Sequence, residues 1–83
     1  MFSVRYSNQA KQFLKKTDTI LVKRLFDKIE TLRMEPFIPD TKKVEGSSGL
    51  FRVRVGDYRI LYEVDHKNNL IGIVKIDKRS KVY

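Results

Sequence analysis

The sequence predicts a single α+β domain in the order βααβββ, an antiparallel-rich sheet with an N-terminal helical hairpin packed on one face. Three observations predict it. Apolar residues recur at three- and four-residue spacing between Ala10 and Leu32, and they alternate with polar ones from Leu50 onward. Between these regions the breakers Pro36, Pro39, Gly46 and Gly49 gather in one stretch. Eighty-three residues bury one core and leave no length for a second domain.

Residues 2–6 alternate, with Phe2, Val4 and Tyr6 opposed to Ser3 and Arg5, and form a first short strand. Ser7 or Asn8 offers the N-cap of a helix whose stripe is Ala10, Phe13 and Leu14 and whose end lies near Lys16. Asp18 or Thr19 caps a second helix, with Val22, Leu25, Phe26, Ile29 and Leu32 as its core stripe. Pro36 disfavours helical geometry at Glu35 and closes the segment. Residues 37–49 read as a loop. Residues 50–55 and 58–64 are two strands joined by Gly56-Asp57, the glycine-first pair of a type II′ hairpin turn. A polar turn over residues 65–69 leads to a last strand over residues 70–76, and residues 78–83 form a basic tail.

Lys and Arg total 18 against 10 acidic residues, a formal charge of +8. A small domain this basic suits a polyanion, although charge alone also serves solubility, so placement has to decide. Cysteine is absent, which removes disulfides and thiolate chemistry and fits the reducing cytoplasm. One histidine, His66 in the polar turn, makes no metal cluster, so neither a metal nor another cofactor is expected. No stretch approaches the ~20 apolar residues of a membrane helix, and Arg5, Lys11, Lys15 and Lys16 interrupt any signal-peptide pattern.

Register turns the strands into a site. A two-residue turn sets Val55 against Tyr58, Val53 against Ile60 and Phe51 against Tyr62, an apolar face for the helices. The other face then carries Arg54 against Arg59 and Arg52 against Leu61. If Val64 pairs with Leu70, Arg59 also sits beside Lys75. Like charges directly opposite each other destabilise a sheet. Their placement makes sense for an anion, because guanidinium groups give planar, bidentate contacts to phosphate oxygens. Lys78 and Arg79 extend the basic surface. A tyrosine near a basic groove can stack on an exposed base, but read from the residues alone Tyr83 is an ordinary chain terminus. Glu63, Asp57 and Asp77 make no obvious acid/base pair in the sequence.

The run from Leu50 through Arg52, Arg54, Gly56, Asp57, Tyr58 and Arg59 to Val64 resembles the central hairpin of RelE-type toxins of the RelE/ParE superfamily. Lys43-Val44-Glu45-Gly46 is similar to the Leu-x-Gly element that precedes that hairpin. Residues 77–83 are similar to the family's closing Gly-His-Arg-x-x-Val-Tyr pattern, and Ser7-x-x-Ala10 with the two helices also matches. The resemblance implies the toxin of a type II toxin–antitoxin system, a ribosome-dependent, metal-independent mRNA endonuclease opposed by a cognate RelB-like antitoxin. It implies an A-site mRNA substrate whose own 2′-hydroxyl attacks the adjacent phosphate. By position, Arg59 holds the scissile phosphate, Arg79 stabilises or protonates the leaving 5′-oxygen, and Tyr83 stacks on a base. Arg52, Arg54, Lys75 and Lys78 bind RNA phosphate. Well-studied bacterial members carry lysines in place of Arg52 and Arg54, and a basic residue in place of Glu45. Arginine scarcely deprotonates, so the general base stays open among Lys75, Tyr83 and water. The superfamily also contains gyrase-poisoning ParE-type members, and a generic nucleic-acid-binding module is the further alternative.

Overall fold

Two side-chain caps start the helical hairpin. Ser7 Oγ accepts from the Ala10 amide at 3.1 Å and opens α1 (Asn8–Lys16). Asp18 accepts from the Leu21 amide at 3.0 Å and opens α2 (Thr19–Met34), each cap satisfying an amide that a helix start leaves orphaned. Glu35 is extended at the end of α2, as the following proline requires. The computed structural model describes residues 1–78.

The strands are β1 (Ser3–Tyr6), β2 (Thr41–Lys43), β3 (Leu50–Val55), β4 (Tyr58–Asp65) and β5 (Leu70–Lys78). They form one mixed sheet in the order β1-β5-β4-β3-β2, antiparallel except where β1 runs parallel to β5. The expected α+β class and the helical hairpin are present. The element order differs, because β2 forms inside the segment read as a loop. Thr41-Lys42-Lys43 is three residues long and lacks apolar alternation, so nothing periodic announces it. Its pairing with Phe51, Arg52 and Val53 holds it, and its lysines suit an edge strand that must not recruit another chain.

The β3–β4 pairings are those the two-residue turn demands, from Val55 opposite Tyr58 to Phe51 opposite Tyr62. Gly56 has φ +59°, and Asn69 is the one non-glycine residue with positive φ among the described residues. A left-handed first position followed by an ordinary second one is the type II′ pattern.

The β4–β5 register departs from expectation. Val64 pairs with Ile71, and a bulge follows, because Tyr62 pairs with Ile73 while Leu61 pairs with Lys75. Val74 is the extra residue. The cause is packing: Ile71, Ile73 and Ile76 are all buried, and their spacing of two and then three fits one face only if a residue is inserted. Beyond the bulge, side chains of the α1 start replace a neighbouring strand. Ser7 Oγ donates to the Val74 carbonyl at 2.6 Å. The Gln9 amide takes both backbone groups of Ile76, at 2.8 and 3.0 Å. These contacts satisfy polar groups that the end of β1 would leave open.

Leu25, Ile29 and Leu32 of α2 and Ala10 of α1 close over Val53, Val55, Ile60, Tyr62, Ile71, Ile73 and Ile76. Phe26, expected in the core stripe, sits at its margin, 40% exposed with its ring edge against Tyr6. The Tyr62 hydroxyl donates to the Pro36 carbonyl at 2.6 Å, which ties the end of the helical layer to the middle of the sheet.

Candidate functional site

Alternation puts one side of every strand under the helices and leaves the other side without a helix over it among the described residues. Arg52 and Arg54 of β3 project from the open face opposite Leu61 and Arg59 of β4. Lys75 and Asp77 of β5 complete the rows, opposite Leu61 and Arg59. Lys42 of β2 pairs with Arg52 and extends the cationic row to the sheet edge. Sequence reasoning missed Lys42 because it missed the strand that carries it.

Two like-charged pairs therefore lie directly across strands, Arg54 with Arg59 and Lys42 with Arg52. Each costs sheet stability, of order 0.2–1 kcal/mol relative to a neutral pair. Arg59 is stabilised from the other side. Its Nε donates to Asp77 Oδ1 at 2.7 Å and its Nη2 to Oδ2 at 3.2 Å, a two-point contact that fixes the guanidinium plane. Both side chains are mostly covered, Arg59 at 16% and Asp77 at 22% exposure. Lys75 reaches the same carboxylate at 3.7 Å.

Asp77 rather than Lys75 is thus the β5 neighbour of Arg59, because the expected register started one residue early, at Leu70 instead of Ile71, and lacked the bulge, which adds a second residue. Lys75 remains on the cationic face one row along, 51% exposed. Arg54 Nε donates to the Gly56 carbonyl at 2.8 Å, folding its side chain over the hairpin turn. Lys78 pairs with Tyr58, whose ring meets Phe13 of α1, which puts Lys78 on the helical side of the sheet. It stands at the margin of the cationic face rather than within it. Arg79 and Tyr83 lie outside the described residues.

His66 belongs to a different structure. Its ring stacks on Phe37 at 5.8 Å and meets the edge of Phe2 at 5.9 Å. It follows the far end of β4, roughly 23 Å along the strand from Arg59 at about 3.3 Å per residue. That distance removes it from the cationic row. Asp65 in the same turn accepts from the Asn68 side chain and amide, and these bonds hold its carboxyl below the ordinary range.

If Arg52 and Arg54 act through charge alone, lysine at either place should keep most of the anion affinity and of any catalysis. Glutamine should lose far more. Titration of Arg54→Lys and Arg54→Gln proteins with a single-stranded RNA oligomer checks this, and equal behaviour of the two would show the charge to be idle.

Comparison with known proteins gives a consistent result. The family model described as the ParE toxin of the type II toxin–antitoxin system, parDE, matches residues 4–83. A Methanocaldococcus jannaschii protein bearing the name toxin RelE1 is 34% identical over 86 residues, covering 99% of this chain and 94% of that protein. Among solved structures, a chain of the archaeal RelE–RelB complex from Pyrococcus horikoshii superposes with TM-score 0.82 at 30% identity, over 98% of both chains. A chain of the Escherichia coli RelBE toxin–antitoxin complex matches with TM-score 0.83 over 94% of this chain and 96% of its own. At 16% identity that last likeness concerns the fold.

Proposed function

The chain belongs to the RelE/ParE superfamily of toxins from type II toxin–antitoxin systems, and on that premise we propose that it is an mRNA endonuclease acting at the ribosomal A site. The observation that carries the reading is the set of cations on one open sheet face, Lys42, Arg52, Arg54, Arg59 and Lys75, held although two of their cross-strand pairs are repulsive. Such a surface is stabilised by a bound polyanion and repaid by phosphate contacts.

In this reading the RNA supplies its own nucleophile. The 2′-oxygen attacks the adjacent phosphorus, the bond to the 5′-oxygen breaks, and a 2′,3′-cyclic phosphate and a 5′-hydroxyl result. Arg59, fixed in plane by Asp77, faces the phosphate on which negative charge grows. A donor that is already oriented stabilises that charge without reorganising at the moment of reaction. Arg52, Arg54 and Lys42 hold flanking phosphates. Arg79 serves the leaving oxygen and Tyr83 a base, as the family resemblance implies.

A free enzyme of this kind would halt translation in the cell that makes it. The solved relatives from Pyrococcus horikoshii and Escherichia coli are complexes of toxin with antitoxin, which supports a RelB-like partner for this chain. An acidic, extended or helical antitoxin would cover the Arg52, Arg54 and Arg59 face or displace the tail. Apolar anchors would give it affinity, and complementary charge would speed association. No helix among the described residues is long and apolar enough to cross a membrane, and cytoplasmic action follows from the proposed substrate.

Primer-extension mapping on translated mRNA, with and without ribosomes, tests the reading. New 5′-ends within codons, dependent on ribosomes and suppressed by the product of the adjacent gene, are expected. The ParE description of the matching family model favours a second reading, gyrase poisoning. Intact mRNA together with inhibited supercoiling would select it.

A further inference from the structure

The proposed cleavage needs a group that removes the 2′-hydroxyl proton, and the two arginines of β3 cannot do so. We propose that Asp77 is that general base, an inference that rests on the nuclease reading above. Among the described residues it is the carboxylate that stands at Arg59, bonded to it at 2.7 and 3.2 Å. Glu63 shares the open face but lies four residues along β4, roughly 13 Å away at the rise of a strand. Asp57 lies in the exposed hairpin turn, off the strands.

Geometry suits the role. An ionised carboxylate has about four acceptor positions on its two oxygens. Oδ1 accepts from Arg59 Nε, and Oδ2 faces both Arg59 Nη2 and Lys75. Oδ1 therefore keeps an acceptor position for a hydroxyl. The substrate 2′-oxygen is a neighbour of the phosphate that Arg59 would hold, so one guanidinium aligns the phosphate and the base together. The strand is also fixed from behind, where Gln9 bonds both backbone groups of Ile76, the residue before Asp77.

The step balances. An Asp77 oxygen takes the 2′-hydroxyl proton as the 2′-oxygen bonds to phosphorus, the P–O5′ bond breaks, and the 5′-oxygen takes a proton from the leaving-group acid or from water. The Asp77 carboxyl then returns its proton to solvent.

A purely structural Asp77, present to offset the repulsion between Arg54 and Arg59, makes different predictions. The experiment is single-turnover cleavage of A-site mRNA on programmed ribosomes, from about pH 5.5 to pH 8.5, for the wild type, Asp77→Asn and Asp77→Glu. Carboxylates are ionised across that whole range, whereas an ammonium base with a reference value near 10.4 is not available in it. With Asp77 as base, wild-type rates are nearly flat with pH. Asp77→Asn falls about 10²–10⁴-fold in the chemical step, the usual contribution of a positioned base. Its half-saturating concentration stays equal or tightens, since a negative charge beside the phosphate is gone. Its residual rate climbs about tenfold per pH unit, as hydroxide takes over, and Asp77→Glu recovers part of the loss.

Two results overturn the proposal. One is a wild-type rate that itself climbs tenfold per pH unit. The other is an Asp77→Asn protein, melting as the wild type does, that cuts at the wild-type rate or faster. In either case cleavage persists, so the nuclease reading stands and only the base assignment falls. A wild type that cuts nothing overturns both.

Discussion

Arg59→Ala should lower the rate of mRNA cleavage about 10²–10³-fold, the usual cost of removing one aligned stabiliser of transition-state charge. In the proposed reading the loss should sit in the chemical step, because Arg52, Arg54 and Lys42 would still hold the flanking phosphates. The same change leaves the Asp77 carboxylate, among the described residues, with Lys75 at 3.7 Å as its cationic neighbour. A negative charge freed beside the scissile phosphate would repel it, so the fall should exceed that of Arg59→Lys. Removing Arg59 also removes its repulsion with Arg54, which offsets part of the lost ion pair and keeps the fold intact. Single-turnover cleavage combined with thermal melting checks the pair of expectations. A folded Arg59→Ala protein with wild-type cleavage would remove Arg59 from the site.

The second large effect is on stability. Tyr62 is fully buried in the middle of the sheet, against Phe51 and beneath the end of the helical layer. Truncating a buried aromatic to alanine costs about 3–5 kcal/mol. Tyr62→Ala also strips the Pro36 carbonyl of its 2.6 Å donor in a place water does not easily reach. A domain of this length has a total stability of roughly 4–12 kcal/mol, at ~0.05–0.15 kcal/mol per residue. The alanine variant should therefore lose a large share of the domain's stability, read as a strongly lowered melting temperature. Tyr62→Phe separates the hydroxyl from the ring and should cost about 1–3 kcal/mol, visible as a lower urea midpoint at unchanged slope.

Alkaline pH gives a further handle on the same residue. Burial pushes the Tyr62 phenol above its ordinary value, so the folded state keeps its proton longer than the unfolded chain does. The associated stability is fully present below about pH 10 and is lost as pH rises above it. Burial raises the phenol of Tyr6 as well, so Tyr62→Phe should reduce the alkaline loss without abolishing it.

Much of this site was legible in the chain because a two-residue turn leaves little freedom. Once Gly56-Asp57 is read as type II′, every β3–β4 pairing follows, and Arg54 must stand opposite Arg59. Ser7 or Asn8 and Asp18 or Thr19 announced the helix starts for a similar reason, since a short polar side chain before an apolar stripe has a local bonding role, and the structure selects Ser7 and Asp18. The β4–β5 pairing was harder. Its turn is longer and sets no register, and the arbitrating signal was the isoleucine spacing at 71, 73 and 76, which reads as an irregularity until a bulge is allowed. Asp77 was hidden by the bulge together with a one-residue offset at Val64, which pairs with Ile71 rather than Leu70. Gln9 was hidden more deeply, because a side-chain amide standing in for a strand depends on a contact across 67 residues of sequence.

The parallel pairing of β1 with β5 bears on how the toxin comes into being. Ser3 stands beside Leu70, so β1, made before the other four strands of this sheet, finds its sheet neighbour only when β5 follows. At about 5–20 residues per second the interval is roughly 3–13 s. Until then the nascent chain is a helical hairpin with open strands, without the row that aligns Arg59 and Asp77. Because β5 lies between β1 and β4, a fragment lacking it keeps only β2, β3 and β4 as a sheet and leaves β1 without a neighbour. In the proposed reading, interrupted synthesis therefore leaves a chain without the row that holds Arg59 against Asp77. On the proposed function, that delay would give a waiting antitoxin time to meet the chain before its cationic face is complete.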